Sequence, residues 1–445
     1  MSSTGAGKAA PSNPSAPPAR GGPTASARRA VAGSFVGSTI EWYDFFIFGT
    51  AASLVFGPQF FPSESSVAST LAAFATFAVG FVARPVGGAL MGHFGDRVGR
   101  KSMLVLSVGL MGAATVAMGL LPNYASIGVW APILLVTLRF LQGLGVGGEW
   151  GGAVLMATEH APRGRAGLYG AAPQLGVPAG VLLANLAFLL ITNVVPEDDF
   201  QQWGWRIPFL LSATLIALAM WIRLGVLESP EFEATKRDGN VVSAPMLEVL
   251  RTHWRSVFLA GGTFIAANGI GIVWLTFVLK YGTDELGFTR GTMLAMVVAA
   301  CPVWMLGMAL SAYYSDFVPR RTVYIQASVL LLVVSLLFFL TLDTASLPLA
   351  VIAMLALAFT LGTAGGPQSA LFAELFPPHI RYSGASFAYQ VGAILGGGIA
   401  PFIATALFSR YGSSWAITTY FLVVAVISLG SIVLLKAGPQ ARRAR

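Results

Sequence analysis

Twelve apolar runs divide this 445-residue chain, at roughly 34–58, 68–93, 102–121, 127–158, 166–193, 206–226, 255–281, 291–314, 322–342, 346–373, 383–409 and 415–436. Each is near or above the ~20 residues that cross a bilayer as helix. Charged residues make up only 10% of the chain against 55% hydrophobic, where a soluble globular protein carries about 25% charged. The expected fold is therefore an all-α integral membrane protein, with twelve transmembrane helices in two six-helix bundles. The longest polar stretch of the interior, Leu227–Trp254, separates two sets of six. It divides the chain into a disordered cytoplasmic tail (1–30), an N-terminal bundle (31–226), a cytoplasmic central linker (227–254), a C-terminal bundle (255–436) and a basic cytoplasmic tail (437–445).

Lys and Arg near helix ends are retained on the cytoplasmic side. With the N-terminus inside, the inner segments hold most of the bases, while the outer loops hold chiefly Lys280, Arg290 and Arg410, and one of them carries Glu197, Asp198 and Asp199. Both termini are thus expected in the cytoplasm, in a multi-pass protein of the plasma (inner) membrane. The net charge of +8 comes from short clusters between apolar spans with no aromatic-interleaved basic surface, so lipid and not nucleic acid is the expected partner. A single cysteine, Cys301, excludes an intramolecular disulfide and a cysteine-based metal site.

The charged stretch Gly92–Lys101, GHFGDRVGRK, reads as a tight turn at the membrane surface, and AYYSDFVPRR at Ala312–Arg321 repeats it in part. EHAPRGRAG, from Glu159, and ELFPPHIRYSG, from Glu374, form a second matched pair. Two matched landmarks indicate two halves related by parallel duplication.

GHFGDRVGRK resembles the signature between the second and third helices of the major facilitator superfamily. IEWYDF (Ile40–Phe45), FVARPVGG (Phe81–Gly88), RFLQGLGVGGEWGG (Arg139–Gly152), WGWRIPFLLS (Trp203–Ser212) and ESPEF (Glu228–Phe232) together are similar to its metabolite:proton symporter family. The resemblance implies transport of a small organic anion such as 2-oxoglutarate, citrate or shikimate, or of a zwitterion such as proline or betaine, with a co-transported proton. Phe277–Leu294 looks somewhat like the shikimate-type branch.

Glu41 and Asp44 lie three residues apart, on one helix face. Two carboxylates that close, partly desolvated, cannot easily both stay ionised. They are candidates for proton coupling, the alternative being that they only polarise a water-filled cavity. Arg84, inside the second span with no local acid, must face an aqueous cavity or a carboxylate on another helix; it contacts substrate or pairs with Asp44 or Glu41. Arg139 and Gln142 share a face of the fourth helix, and by resemblance Arg139 tunes an acid on the first helix. Glu149 is either a second proton site or a buried partner for Arg84 or Arg139. Tyr43, Gln174, Asn268, Trp274, Tyr389 and Gln390 complete the candidate substrate contacts, with Gln368 beside them. Asp96, Arg97, Arg100, Lys101, Glu159 and Arg165, with Asp316, Arg320, Arg321, Glu374 and Arg381 opposite, are candidate elements of a cytoplasmic gate, or anchors that fix topology. Phe317 and Pro319 stand where the first loop has Arg97 and Gly99, so the first loop is expected to carry more of the gate.

No HExxH, P-loop or nucleophile elbow occurs, and neither an enzyme nor an ATP-driven pump is expected. The function expected is proton symport of a small carboxylate by alternating access, with the proton as coupling ion and no cofactor or metal. A compatible-solute symporter for proline or betaine is second, disfavoured because that branch tends to a long C-terminal extension. A transporter-like nutrient sensor is third.

Overall fold

The computed structural model describes residues 25–98, 100–147, 150–159, 161–162, 164–224, 245–377 and 380–435. Twelve long helices organise it: α1 (Ala25–Ala51), α2 (Ser66–Val98), α3 (Arg100–Leu120), α4 (Trp130–Val146), α5 (Ala172–Val194), α6 (Arg206–Leu224), α7 (Trp254–Leu275), α8 (Arg290–Tyr314), α9 (Arg320–Leu342), α10 (Leu347–Leu375), α11 (Arg381–Ala393) and α12 (Ser414–Leu434). Among the described residues there is no strand. Among the described residues eight spans are long and apolar enough to cross a membrane unaided, and the bent pair Glu197–Gly204 and Arg206–Trp221 makes a ninth. The apolar parts of α3 and α4 are shorter, Val105–Leu120 and Trp130–Val146, and α1 carries the acid pair.

Taken together with the short segments that continue them, among which Phe277–Asp284 extends α7, most helices end within a turn of the expected spans. Two ends do not. Helix α1 begins at Ala25, inside the segment expected to be disordered, where the Ala- and Arg-rich sequence favours helix. Helix α2 runs to Val98, so the tight turn expected over Gly92–Lys101 is instead helix up to Val98 and again from Arg100. Of the central linker, Pro245–Thr252 forms a short helix.

Several spans are broken in ways that stay hydrogen-bonded. Helix α1 passes into a π-helical turn at Ala52–Phe56, and α11 passes through a second at Ile394–Gly398 before resuming as Ala400–Tyr411. Helix α4 resumes within its glycine-rich stretch as Trp150–Glu159, and α5 is preceded by a single turn, Ala166–Gly170. Such π-turns cluster at functional positions in helices.

Within the N-terminal half α1 packs on α5, α2 on α4, and α3 on α4 and α6; within the C-terminal half α8 and α9 pack on α10, and α11 and α12 on α7. The halves meet along two seams, α5 against α8 and α2 against the π-turn and second segment of α11. The α2–α4 crossing is close because it is built from glycine. A Cβ on Gly147 would run into the backbone of Arg84 and Gly88, and one on Gly80 would lie 2.5 Å from Arg139 Nε. The small residues thus let two arginine-bearing helices lie backbone to backbone.

Candidate substrate and proton site

The acids of α1 meet the arginines of α2 and α4 in the core of the N-terminal half. Arg84 Nη2 lies 3.9 Å from Glu41 Oε1, both side chains buried. Of the two partners left open for Arg84, it is Glu41 that it pairs with. Its guanidinium also lies over the rings of Trp42, Phe45 and Phe81, with Cζ 5.1, 4.6 and 5.1 Å from the ring centroids. Arg139 sits in a second aromatic cage, 4.1 Å from the Phe45 centroid, 4.2 Å from Phe48 and 4.9 Å from Phe77. It donates to Gln142 Oε1. Gln142 donates to the Asp44 backbone carbonyl at 3.1 Å and to Thr115 Oγ1 at 2.8 Å. Phe45 therefore touches both guanidinium groups, and ring contacts of this kind reach about 2 kcal/mol or more when desolvated.

Asp44 is fully buried, and among the described residues neither carboxylate oxygen has a hydrogen-bond partner. The buried Ser212 hydroxyl and the Glu41 carboxylate are its electrostatic neighbours, but Ser212 makes no hydrogen bond of ordinary geometry either. Among the described residues Arg139 Nε and Nη2 have no hydrogen-bond partner, and Arg84 Nε and Nη2 make no hydrogen bond either, Nη2 meeting Glu41 only at ion-pair distance. Among the described residues the group thus holds two acids and two cations with one acid–cation pair in place, an arrangement in which a proton or a side-chain rotation can exchange partners.

Beside it, between the halves, runs a narrow cavity. Its N-terminal wall includes Trp42, Phe46 and Gln174; its C-terminal wall includes Phe264, Asn268, Trp304, Gln368 and Tyr389. Among the described residues no Lys, Arg, Asp or Glu lines it. Gln174 Nε2 donates to Gln368 Oε1 across the interface at 3.2 Å, and Trp150 Nε1 donates to Gln174 Oε1 at 3.1 Å. Gln368 Nε2 and Trp304 Nε1 remain as buried donors without protein partners, so the free polar groups facing a bound molecule include N–H donors.

Contacts between the halves exist at both ends. At the end where α8 meets α9, Asp316 accepts hydrogen bonds from the backbone N–H of Gly167 (2.7 Å) and of Leu168 (3.1 Å). Arg320 approaches Asp316 at 3.6 Å and also pairs with Glu374. At the opposite end Arg290 Nη1 is 2.8 Å from Glu197, and its guanidinium lies over Phe200 at 4.8 Å.

The remaining candidates divide. Gln174, Asn268 and Tyr389 reach the cavity, Asn268 also donating to the Ala393 carbonyl at 3.0 Å. Tyr43 turns away to donate to the Pro208 carbonyl at 2.8 Å. Trp274 is buried against Trp304 and Met354 Sδ. Gln390 donates weakly, at 3.4 Å, to the Gly147 carbonyl across the interface. Arg321 reaches the carbonyls of Ile432 and Val433 at the end of α12, Arg381 bonds the Phe376 carbonyl, and Arg165 is exposed. Glu149 and the side chains of Asp96, Arg97, Arg100, Lys101 and Glu159 lie outside the described residues. Trp150 and Trp304 were not singled out by sequence, since tryptophan in a membrane span is common as packing; for Trp150 the available signal was its place inside the glycine-rich fourth-helix motif.

Residues 34–394 match the family model described as Major Facilitator Superfamily. The chain is 42% identical over 417 residues to the inner membrane metabolite transport protein YhjE of Escherichia coli (strain K12), covering 93% of this chain and 94% of that one. It is 39% identical over 426 residues to the shikimate transporter of the same strain, covering 93% and 96%. To the proline/betaine transporter of Salmonella typhimurium it is 31% identical over 413 residues, covering 90% and 82%. Among solved structures, a D-xylose-proton symporter shares the fold with a TM-score of 0.71 at 17% identity, covering 93% of this chain and 98% of that one.

Proposed function

Because the chain belongs to the major facilitator superfamily, we propose that it is a proton-coupled symporter that imports a small organic acid by alternating access, both termini in the cytoplasm. The observation that carries the proton coupling is Asp44, a fully buried carboxylate without a hydrogen-bond partner, one helical turn from the Glu41–Arg84 pair. Intramembrane acids in such settings mark ion pathways. Protonation of Glu41 would release Arg84, and Arg139, held by neutral Gln142 and three rings, has donors free for Asp44 when that group ionises. Glu41 and Asp44 thus load and unload the proton, while Arg84 and Arg139 supply the positive field from behind the cavity wall.

The substrate lies in the cavity between Gln174, Asn268, Trp304, Gln368 and Tyr389. Its carboxylate would be received by the unpartnered N–H groups of Gln368 and Trp304, and its apolar body by Trp42, Phe46 and Phe264. The likeness to a shikimate transporter over nearly the whole chain supports a hydroxylated carboxylate. A second reading is supported by the same walls: an uncharged aromatic cavity also suits a methylated ammonium, as in a betaine.

Uptake into proteoliposomes under an imposed pH gradient, against shikimate, 2-oxoglutarate, citrate, proline and glycine betaine, tests both. Gradient-driven accumulation of a carboxylate supports the first reading, and accumulation of betaine alone replaces it with the second. If Asp44→Asn together with Glu41→Gln left gradient-driven uptake and its pH profile intact, the coupling assignment would be wrong.

A further inference from the structure

Five residues from both halves sit at one level of the cavity. Counting from the helix ends on the Gly92–Lys101 side, Trp150, Gln174, Phe264, Gln368 and Tyr389 each lie about two to three turns in, roughly 10–15 Å along the axis. Tyr389 is stacked on Trp150 at 4.0 Å and 11°, and on Phe264 at 4.7 Å and 23°. Two rings that close and that parallel must occupy its opposite faces. The stack therefore crosses from the N-terminal half to the C-terminal half, and the hydrogen bonds Trp150–Gln174–Gln368 cross back beside it. Together they form a floor under the cavity.

Tyr389 shares the cavity wall with Trp42, whose ring lies 5.1 Å from the Arg84 guanidinium carbon, so it borders the proton site. Among the described residues the charged groups that act on it are Arg84 of α2 and Glu41 of α1. The other elements packed on α11 present neutral groups at this level, Phe264 and Asn268 from α7, Gln368 from α10 and Trp150 from the continuation of α4. The helix Pro245–Thr252, which also touches α11, carries Glu248 and Arg251.

We propose that the Trp150–Tyr389–Phe264 stack is the inner gate of the cavity, and that Tyr389 is the positioning residue that couples it to the Glu41–Arg84 pair. The proposal rests on the transport reading above and extends it. With Glu41 ionised, Arg84 is held on α1 and α2, Tyr389 stays on Trp150, and the floor is shut. When Glu41 takes up a proton, Arg84 loses its counter-charge, and the phenolic oxygen of Tyr389 is an acceptor available to it across the interface. Drawing Tyr389 towards Arg84 slides its ring off Trp150 and opens the floor. Ring and hydroxyl then have separate duties: the ring closes, and the hydroxyl senses.

The test needs no substrate. In a Cys301→Ser background, Ala267→Cys places a reporter thiol on the cavity wall, and inside-out vesicles are labelled with a membrane-impermeant maleimide. Trp150→Leu and Tyr389→Leu should raise the labelling rate at least tenfold, while Trp150→Phe stays near the parent rate. Glu41→Gln, which mimics the protonated acid, should raise labelling several-fold, and Tyr389→Phe should abolish that rise while remaining slow by itself. Because Tyr389→Phe preserves ring and nearly all the volume and Trp150→Phe keeps an aromatic ring in the stack, a leucine variant that fails to fold does not decide the matter. The gate is refuted if the folded leucine variants label no faster than the parent, or if Tyr389→Phe labels fast without Glu41→Gln. The coupling is refuted if Glu41→Gln accelerates labelling equally with Phe or Tyr at 389. Expected labelling without gradient-driven uptake in proteoliposomes would keep the gate and remove proton symport.

Discussion

Replacing Asp44 with Asn should make the protein more stable and stop it from coupling to protons. The side chain keeps its shape but loses the ability to carry a charge at a position with no solvent contact and, among the described residues, no ion pair and no hydrogen bond. An Asp at the centre of a membrane helix costs about 2.5–3.5 kcal/mol on insertion scales. Asn retains the unmade hydrogen bonds of a buried polar group, about 1–3 kcal/mol, so the net gain expected is about 1 kcal/mol at the midpoints of the two ranges and at most about 2.5 kcal/mol. The assay is thermal unfolding in detergent, run beside two transport measurements on the same preparation. The melting temperature of Asp44→Asn should exceed that of the parent near neutral pH. Gradient-driven accumulation should be lost, while exchange of labelled for unlabelled substrate persists, because exchange needs no net proton movement. A variant that is less stable than the parent at neutral pH would show that Asp44 is held by interactions that the geometry does not contain. Retained accumulation would show that the proton rides elsewhere.

Gly80→Ala should be damaging out of proportion to its size, since its Cβ would press on the Arg139 guanidinium. Overpacking of this kind costs about 1–3 kcal/mol, read as a lower melting temperature and at least a tenfold loss of uptake; Gly109→Ala, which meets nothing within 4 Å, is the control. Exchanging the charges of the outer pair, Glu197→Arg with Arg290→Glu, should restore uptake that either single change impairs; a double variant no better than the singles would rule out a direct role for the pair. Asp316→Asn, which weakens two backbone hydrogen bonds across the interface, should lower uptake several-fold. By the asymmetry of the two charged loops Asp96→Asn should lower it further, and equal losses would overturn that asymmetry.

The spans were legible because membrane insertion is a local property: hydrocarbon tests each run of about twenty residues by itself. The candidate site was legible only as an inventory. That Glu41, Asp44, Arg84 and Arg139 belong together follows from the expense of charge in a membrane, but which acid meets which base depends on helix rotation, and helix rotation is set by glycine contacts such as Gly147 against the Arg84 backbone. Hence Arg84 pairs with Glu41, while Arg139 answers Gln142 and a cage of rings. Tyr43 shows the opposite failure: its place beside the acids suggested the cavity, but a rotation of one position around the helix takes it to the Pro208 carbonyl. Trp150 gave no chemical warning at all, because its importance lies in having Tyr389 opposite, more than two hundred residues away in sequence.

The two end contacts differ in what surrounds them. Asp316 is almost wholly buried, whereas Glu197 is 63% exposed and Arg290 20%. At 0.15 M salt charges in water are screened beyond about 8 Å, and at 1 M beyond about 3 Å. The Glu197–Arg290 pair therefore loosens as the medium around it grows saltier, while Asp316 and its backbone partners are sheltered from the ions at their own end. Ionic strength then acts as a one-sided control: it weakens the contact between the halves at one end without disturbing the contact at the other.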